Sequence, residues 1–239
     1  MPPAGFGGGG GFTPPPAQPY GGTGGGAQMP QLEVGAAISY GWKKYTENLG
    51  QFIVLMIAVL VASIVLGILR TILTPDSTGF LALIWSALLG VTYYVISSII
   101  QAGVLRAGLG VTKGQPPSVS QLTETGNIAN YILTVILVGV GLFIGLILCV
   151  IPGIIWFVLT AYAPIVALDK GVGPVEAITT SINWVKERPG PVLGILIIAY
   201  LIYLVGFCFF CVGLLVTAPV ALVAIIYSYR ALNNEPVAP

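Results

Sequence analysis

Histidine is absent from all 239 residues, and charge is nearly so: nine Lys or Arg and eight Asp or Glu make up 7% of the chain. A soluble domain carries about 25% charged residues. Without histidine the chain lacks the commonest general base and the commonest metal ligand. No Ser/His/Asp or Cys/His set can be assembled. A net charge of +1 gives no footing for a nucleic-acid partner. Cysteine is scarce too, and Cys149, Cys208 and Cys211 all sit in apolar surroundings. Three such thiols make a poor zinc site. The glycine run at 7–11 lacks the Lys-Ser/Thr of a phosphate-binding loop. No cofactor is expected, and an enzyme is the weakest class of function. The N-terminus has no basic region followed by an apolar core, so no cleavable signal peptide is expected.

What is abundant is apolar. Hydrophobic residues form 56% of the chain, and mean hydropathy is +0.96. A core of its own could not hide so much apolar surface, so lipid must serve as solvent. The expected fold is all-α: a polytopic integral membrane protein with about six transmembrane helices in three hairpins. The expected spans are 50–69, 80–105, 128–148, 154–168, 191–209 and 214–229, each near the ~20 residues that cross the hydrocarbon. Residues 1–31 are Gly/Pro-rich, with isolated Phe6, Phe12 and Tyr20, and read as a disordered tail or tether. The membrane domain is expected over 32–230, and a short polar tail over 231–239.

Charge placement predicts orientation. With the N-terminus inside, Lys43, Lys44, Arg106, Lys113, Lys170, Lys186, Arg188 and Arg230 are cytoplasmic, and only Arg70 is external. That bias puts both termini in the cytoplasm and the protein in the plasma (inner) membrane.

Two stretches read as amphipathic helices on the membrane surface. In 32–49 the apolar face is Val34, Ile38, Trp42, Tyr45 and Leu49, with Lys43, Lys44 and Glu47 in water. After Asp169, Lys170 and Gly171, which mark the interface, a second helix starts at Pro174 with Val175, Ile178, Ile182 and Val185 on one face. Ser118-Val119-Ser120-Gln121 fits a helix-start capping box. Ala37-Ile38 with Glu47 and Gly50 matches Ala177-Ile178 with Glu187 and Gly190 in spacing. This suggests three repeated units of surface helix plus hairpin. Pro152 and Gly153 are expected to reverse the chain between the third and fourth spans, and Val212-Gly213 between the last two.

Candidate sites are few. Tyr93, Ser97 and Gln101 share a face of the second span, near Gly90. They read either as a polar path or as hydrogen-bonding contacts between helices, the second being commoner. Gly139, Gly141 and Gly145 allow close helix contact. The cysteines are expected near the external face, where Cys149 could form a disulfide with Cys208 or Cys211. A redox-active Cys208-Phe-Phe-Cys211 and inert thiols are the other readings.

Ile151-Pro152-Gly153-Ile154, Ala163-Pro164, Gly173-Pro174, Glu176-Ala177, Ser181 and Lys186 together resemble a bacterial family of six-span membrane proteins. The stretch is similar to the YciC-like inner-membrane proteins and to the membrane domain fused to some glycerophosphodiester phosphodiesterases. The resemblance covers roughly residues 34–230 and implies architecture rather than chemistry. Many such proteins carry an arginine shortly after the Ile-Pro-Gly turn, where this chain reads Trp156-Phe157-Val158-Leu159-Thr160. The phosphodiesterase domain is missing, so lipid hydrolysis is not implied. The expected role is a non-enzymatic accessory or scaffolding component of a membrane complex, with lipid and a protein as partners. The alternative is a passive transporter or lipid-handling protein.

Overall fold

A computed structural model describes residues 28–75, 79–209 and 213–239. Expectations about Phe6, Phe12, Tyr20, Cys211 and Val212 fall outside the described residues. Within them the chain is all-α. Six helical segments are long and apolar enough to cross a membrane. They are α2 (Leu49–Leu73), α3 (Phe80–Thr112), α4 (Ile128–Leu148), α5 (Val150–Leu159) continued by α6 (Ala163–Lys170), α8 (Pro189–Cys208) and α9 (Leu214–Leu232). They pair as three hairpins: α2–α3, α4–α5/α6 and α8–α9. Two amphipathic helices, α1 (Val34–Glu47) and α7 (Pro174–Glu187), lie at one end, here the capped end.

The repeat is legible in three dimensions. Val34 to Pro174, Glu47 to Glu187 and Leu49 to Pro189 are each a step of 140 positions, so α1 with α2 matches α7 with α8. The same step relates buried Ala37 to Ala177, Gly41 to Ser181 and Tyr45 to Val185. Each surface element packs on the hairpin that precedes it. Helix α7 sits on α4, α5 and α6, and α1 closes the ring by packing on α8 and α9. The middle unit has only a 3-10 turn, Val119–Leu122, seated on α2 and α3. The capping box is present there: the Ser118 N–H donates to Gln121 Oε1 at 2.9 Å. Small residues permit these contacts. A Cβ on Gly41 would meet the Val220 carbonyl oxygen at 2.6 Å, and one on Gly103 would meet Leu122 Cα at 2.5 Å.

Two apolar faces differ from expectation. In α1 the buried residues are Ala37, Gly41, Lys44 and Tyr45, while Trp42, and Leu49 at the start of α2, are exposed. Lys44, expected in water, is buried and donates to Glu47 Oε2 at 2.8 Å and to the Pro239 carbonyl. In α7 Val175 is exposed, and the buried stripe runs Ala177, Ile178, Ser181, Val185. Both helices turn their small residues inward because they press on helices, not only on lipid. The leader and tail also differ from expectation where they are described. Gln28 and Val237 exchange two backbone hydrogen bonds, of 3.0 and 2.8 Å, and the Gln31 N–H donates to the Tyr227 hydroxyl.

The turn between the third and fourth spans is tighter than expected. One extended residue, Cys149, separates α4 from α5. Pro152 lies inside the first turn of α5, where an absent N–H costs nothing because that turn has no acceptor for it. Gly153 serves close packing instead: a Cβ on Gly145 would meet its Cα at 2.9 Å. Gly141 likewise makes room for Trp156, whose indole N–H donates to the Val138 carbonyl at 2.9 Å.

Candidate functional site

The fourth span is broken at residues 160–162, and the break is closed from outside the helix. Ser181 of α7 donates to the Leu159 carbonyl at 2.7 Å and accepts from the Tyr162 N–H at 3.2 Å. One hydroxyl thus satisfies both ragged helix ends, which lipid could not do. Pro164 restarts the helix within its first turn, where proline fits. The Tyr162 hydroxyl meets Ser228 Oγ at 2.8 Å. Ser228 directs its own proton to the Ile225 carbonyl, so Tyr162 is the donor.

Beyond the break lies the charged cap. Asp169, with a side chain 9% exposed, holds Lys113 Nζ at 3.2 Å and Arg230 Nη1 at 3.3 Å. The Tyr229 hydroxyl donates to Asp169 Oδ2 at 2.7 Å. Arg230 is 2% exposed, and its Nε donates to Thr112 Oγ1 at 3.3 Å. Its Nη1 also meets Glu235, which accepts from Asn233 as well. Lys170 Nζ donates to Asn233 Oδ1 at 2.5 Å. Asn127 and Asn130, at the start of α4, donate to the Leu168 and Gly171 carbonyls at 3.1 and 2.6 Å. Gly171 there takes a left-handed φ of 68° to end α6. The cap thus joins the ends of α3, α6 and α9, the start of α4 and the C-terminal segment. Both carboxylates in the cap face a cation, which suits a clamp rather than a reagent. Sequence reasoning placed Asp169 and Arg230 in water. No local spacing signals that residues 61 positions apart pair inside the protein.

The expected polar stripe on α3 falls on one face of the helix. Tyr93 and Ser97 are half-buried and Gln101 is exposed. It is Ser98 that is buried, donating to the Tyr94 carbonyl at 2.8 Å. Tyr93 has a neighbour that sequence reasoning left in a loop: Arg70 lies within α2, one turn from its end. Its guanidinium stands 5.0 Å from the centre of the Tyr93 ring. Together with Gly67, Thr71 and Thr74 they line a cleft of about 450 Å³ between α2 and α3. A second, apolar cleft of about 500 Å³ opens between α1 and the α8–α9 hairpin.

Cys149 and Cys208 are free and exposed. Among the described residues no group of three or more His, Cys, Asp or Glu could hold a metal. The motif residues that carry the family resemblance are helix punctuation here. Pro152, Pro164 and Pro174 fall in first turns. Glu176 and Lys186 place charge of favourable sign at the two ends of α7.

Three comparisons bear on this arrangement. No family model matches the chain. It is 27% identical to the uncharacterized protein Rv2560 of Mycobacterium tuberculosis, across 88% of this chain and 71% of the relative. The same figures hold for the uncharacterized protein Mb2590 of Mycobacterium bovis. No solved structure matches.

Proposed function

We propose that this is a non-enzymatic accessory or scaffolding protein of the bacterial plasma membrane, with the capped end and both termini cytoplasmic. The carrying observation is the uneven cover of the three hairpins. Two of them bear a 14-residue amphipathic helix, α1 or α7. The first hairpin bears only the four-residue 3-10 turn. In the most apolar stretches of α2 and α3, 11% and 0% of residues are buried, against 61% for α9. A hairpin left bare by its own repeat is the place for a partner's helix. The locked charged cap supplies the rigid base from which it projects. The basic residues of the capped end, Lys43, Lys113, Lys186 and Arg188 among them, support the cytoplasmic side.

The test is native purification in nanodiscs with a photo-crosslinking residue at Leu83 or Val91, both exposed on α3. A protein partner in near-equal amount, crosslinked from these sites and not from Val140 on α4, is the expected result. If the protein emerges alone and the crosslinks reach only lipid, the accessory role is wrong. Lipid handling is the second reading, and the Arg70–Tyr93 cleft favours it.

A further inference from the structure

Arg70 is exposed on α2 and is placed unlike the arginines that are buried or half-buried. Arg230 faces the carboxylates of Asp169 and Glu235. Arg106 donates to the Glu124 carbonyl at 2.5 Å and to the Gly126 carbonyl. Among the described residues no carboxylate or carbonyl meets the Arg70 guanidinium, and its recorded neighbour is the face of Tyr93. Arginines near the end of a span usually extend outward to the headgroups. This side chain instead crosses sideways to α3. Tyr93 lies 13 residues past Phe80, about 20 Å along the helix at 1.5 Å per residue. The charge is therefore held beside the apolar length of the hairpin rather than beyond its end.

We infer that the α2–α3 cleft binds the phosphate of an anionic membrane lipid, with Arg70 as its charged anchor. Three features fit that ligand. A guanidinium offers a planar fork that meets two phosphate oxygens at once. The Tyr93 ring behind it fixes the plane by a cation–π contact and leaves the outer edge free. Space is provided by Gly67, beside which a Cβ would meet nothing within 4 Å. The Thr71 and Thr74 hydroxyls, now donating to the Gly67 and Arg70 carbonyls at 2.9 and 2.7 Å, stand on the rim and can turn toward an oxygen. Ile64, Ile68, Leu88 and Val91 are exposed along the same hairpin, an apolar surface for acyl chains. Those flanks favour a lipid over a dissolved phosphate. The inference stands whether or not a protein partner docks on the hairpin.

The test uses the full chain, delipidated in mild detergent and titrated by native mass spectrometry. The probes are short-chain phosphatidylglycerol and a galactosyl diacylglycerol of the same chain length, which lacks phosphate. The wild type is expected to prefer phosphatidylglycerol by about tenfold or more, the worth of one charge-assisted fork. Arg70→Gln should erase the preference and Arg70→Lys should keep part of it. Gly67→Leu, which keeps the charge but fills the cleft, should lose it too. Asp76→Asn, removing the carboxylate nearest in sequence, should leave binding unchanged or tighter. Unfolding temperatures of these variants, matching wild type, separate binding from folding. An Arg70→Gln protein with full preference would overturn the site, and so would displacement of phosphatidylglycerol by millimolar inorganic phosphate.

Discussion

At the scale of single residues, the fold depends on charges that the composition makes rare. Asp169 accepts from Tyr229 and faces both Lys113 and Arg230 in a site almost closed to water. Burying two charges is costly, and their mutual attraction offsets that cost only when both are present. Asp169→Asn leaves Arg230 with Glu235 alone, so it should destabilise the protein by about 3–5 kcal/mol, the usual cost of breaking a buried pair. Denaturant unfolding in detergent, followed through tryptophan fluorescence, measures this. Tyr229→Phe removes one hydrogen bond and leaves the ion pair intact, so its cost should be nearer 1–2 kcal/mol, as a rough estimate. Equal losses from the two variants would mean that the ion pair adds nothing. Ser181 belongs at this scale as well. Ser181→Ala strands the Leu159 carbonyl and the Tyr162 N–H beside a fully buried position, at about 1–3 kcal/mol for each stranded group.

At the scale of elements, hydropathy and punctuation made much legible. The third span runs over 128–148 as expected, because Asn127 and Cys149 interrupt the helix on either side. Pro174 does start α7. What stayed hidden depends on contact rather than on periodicity. The second span continues to Thr112 because its small residues, Ala102, Gly103, Ala107 and Gly108, are covered by the 3-10 turn and by α9. A hydropathy reading ends the span where apolar residues thin out. The fourth span breaks because a serine from another helix takes its polar groups, a fact no window of that span contains. The faces of α1 and α7 were misassigned by reading bulk as burial, whereas close helix packing selects Gly, Ala and Ser. This makes a prediction about α1. Gly41→Leu must push against the Val220 carbonyl, which is backbone and cannot swing aside. Helix α1 should therefore lift from α9. A cysteine placed at Ala37, fully buried in the native protein, should react with maleimide at least about tenfold faster in the Gly41→Leu background. An unchanged rate would show that α1 is held by its ends alone.

At the scale of the whole molecule, the ring of hairpins gives the protein two unlike ends. The capped end collects α1, α7, the charged cluster and the C-terminal segment, and with them Lys43, Lys44, Arg106, Lys113, Lys170, Lys186, Arg188 and Arg230. The other end carries the hairpin turns and Arg70. An even number of spans puts both ends of the membrane domain on one side, and the proposed orientation, with the basic excess inside, makes that side the cytoplasm. The cysteines make this testable without further engineering, since Cys149 and Cys208 are exposed near hairpin turns at the open end. A membrane-impermeant maleimide should label Cys149 in intact cells without prior reduction. A cysteine substituted for Glu187, exposed at the end of α7, should react only after lysis. The reverse pattern would invert the topology and place the charged cap outside. Labelling of Cys149 only after reduction would keep the topology but give that thiol a disulfide partner. The bare hairpin gains its meaning from the same result. With the cap inside, the Arg70 cleft lies in the outer half of the bilayer, on a hairpin whose cytoplasmic foot is clamped through Phe52 and Val111 against Tyr45 and α9. Such a hairpin can meet a lipid or a partner helix along its free length while its base stays fixed.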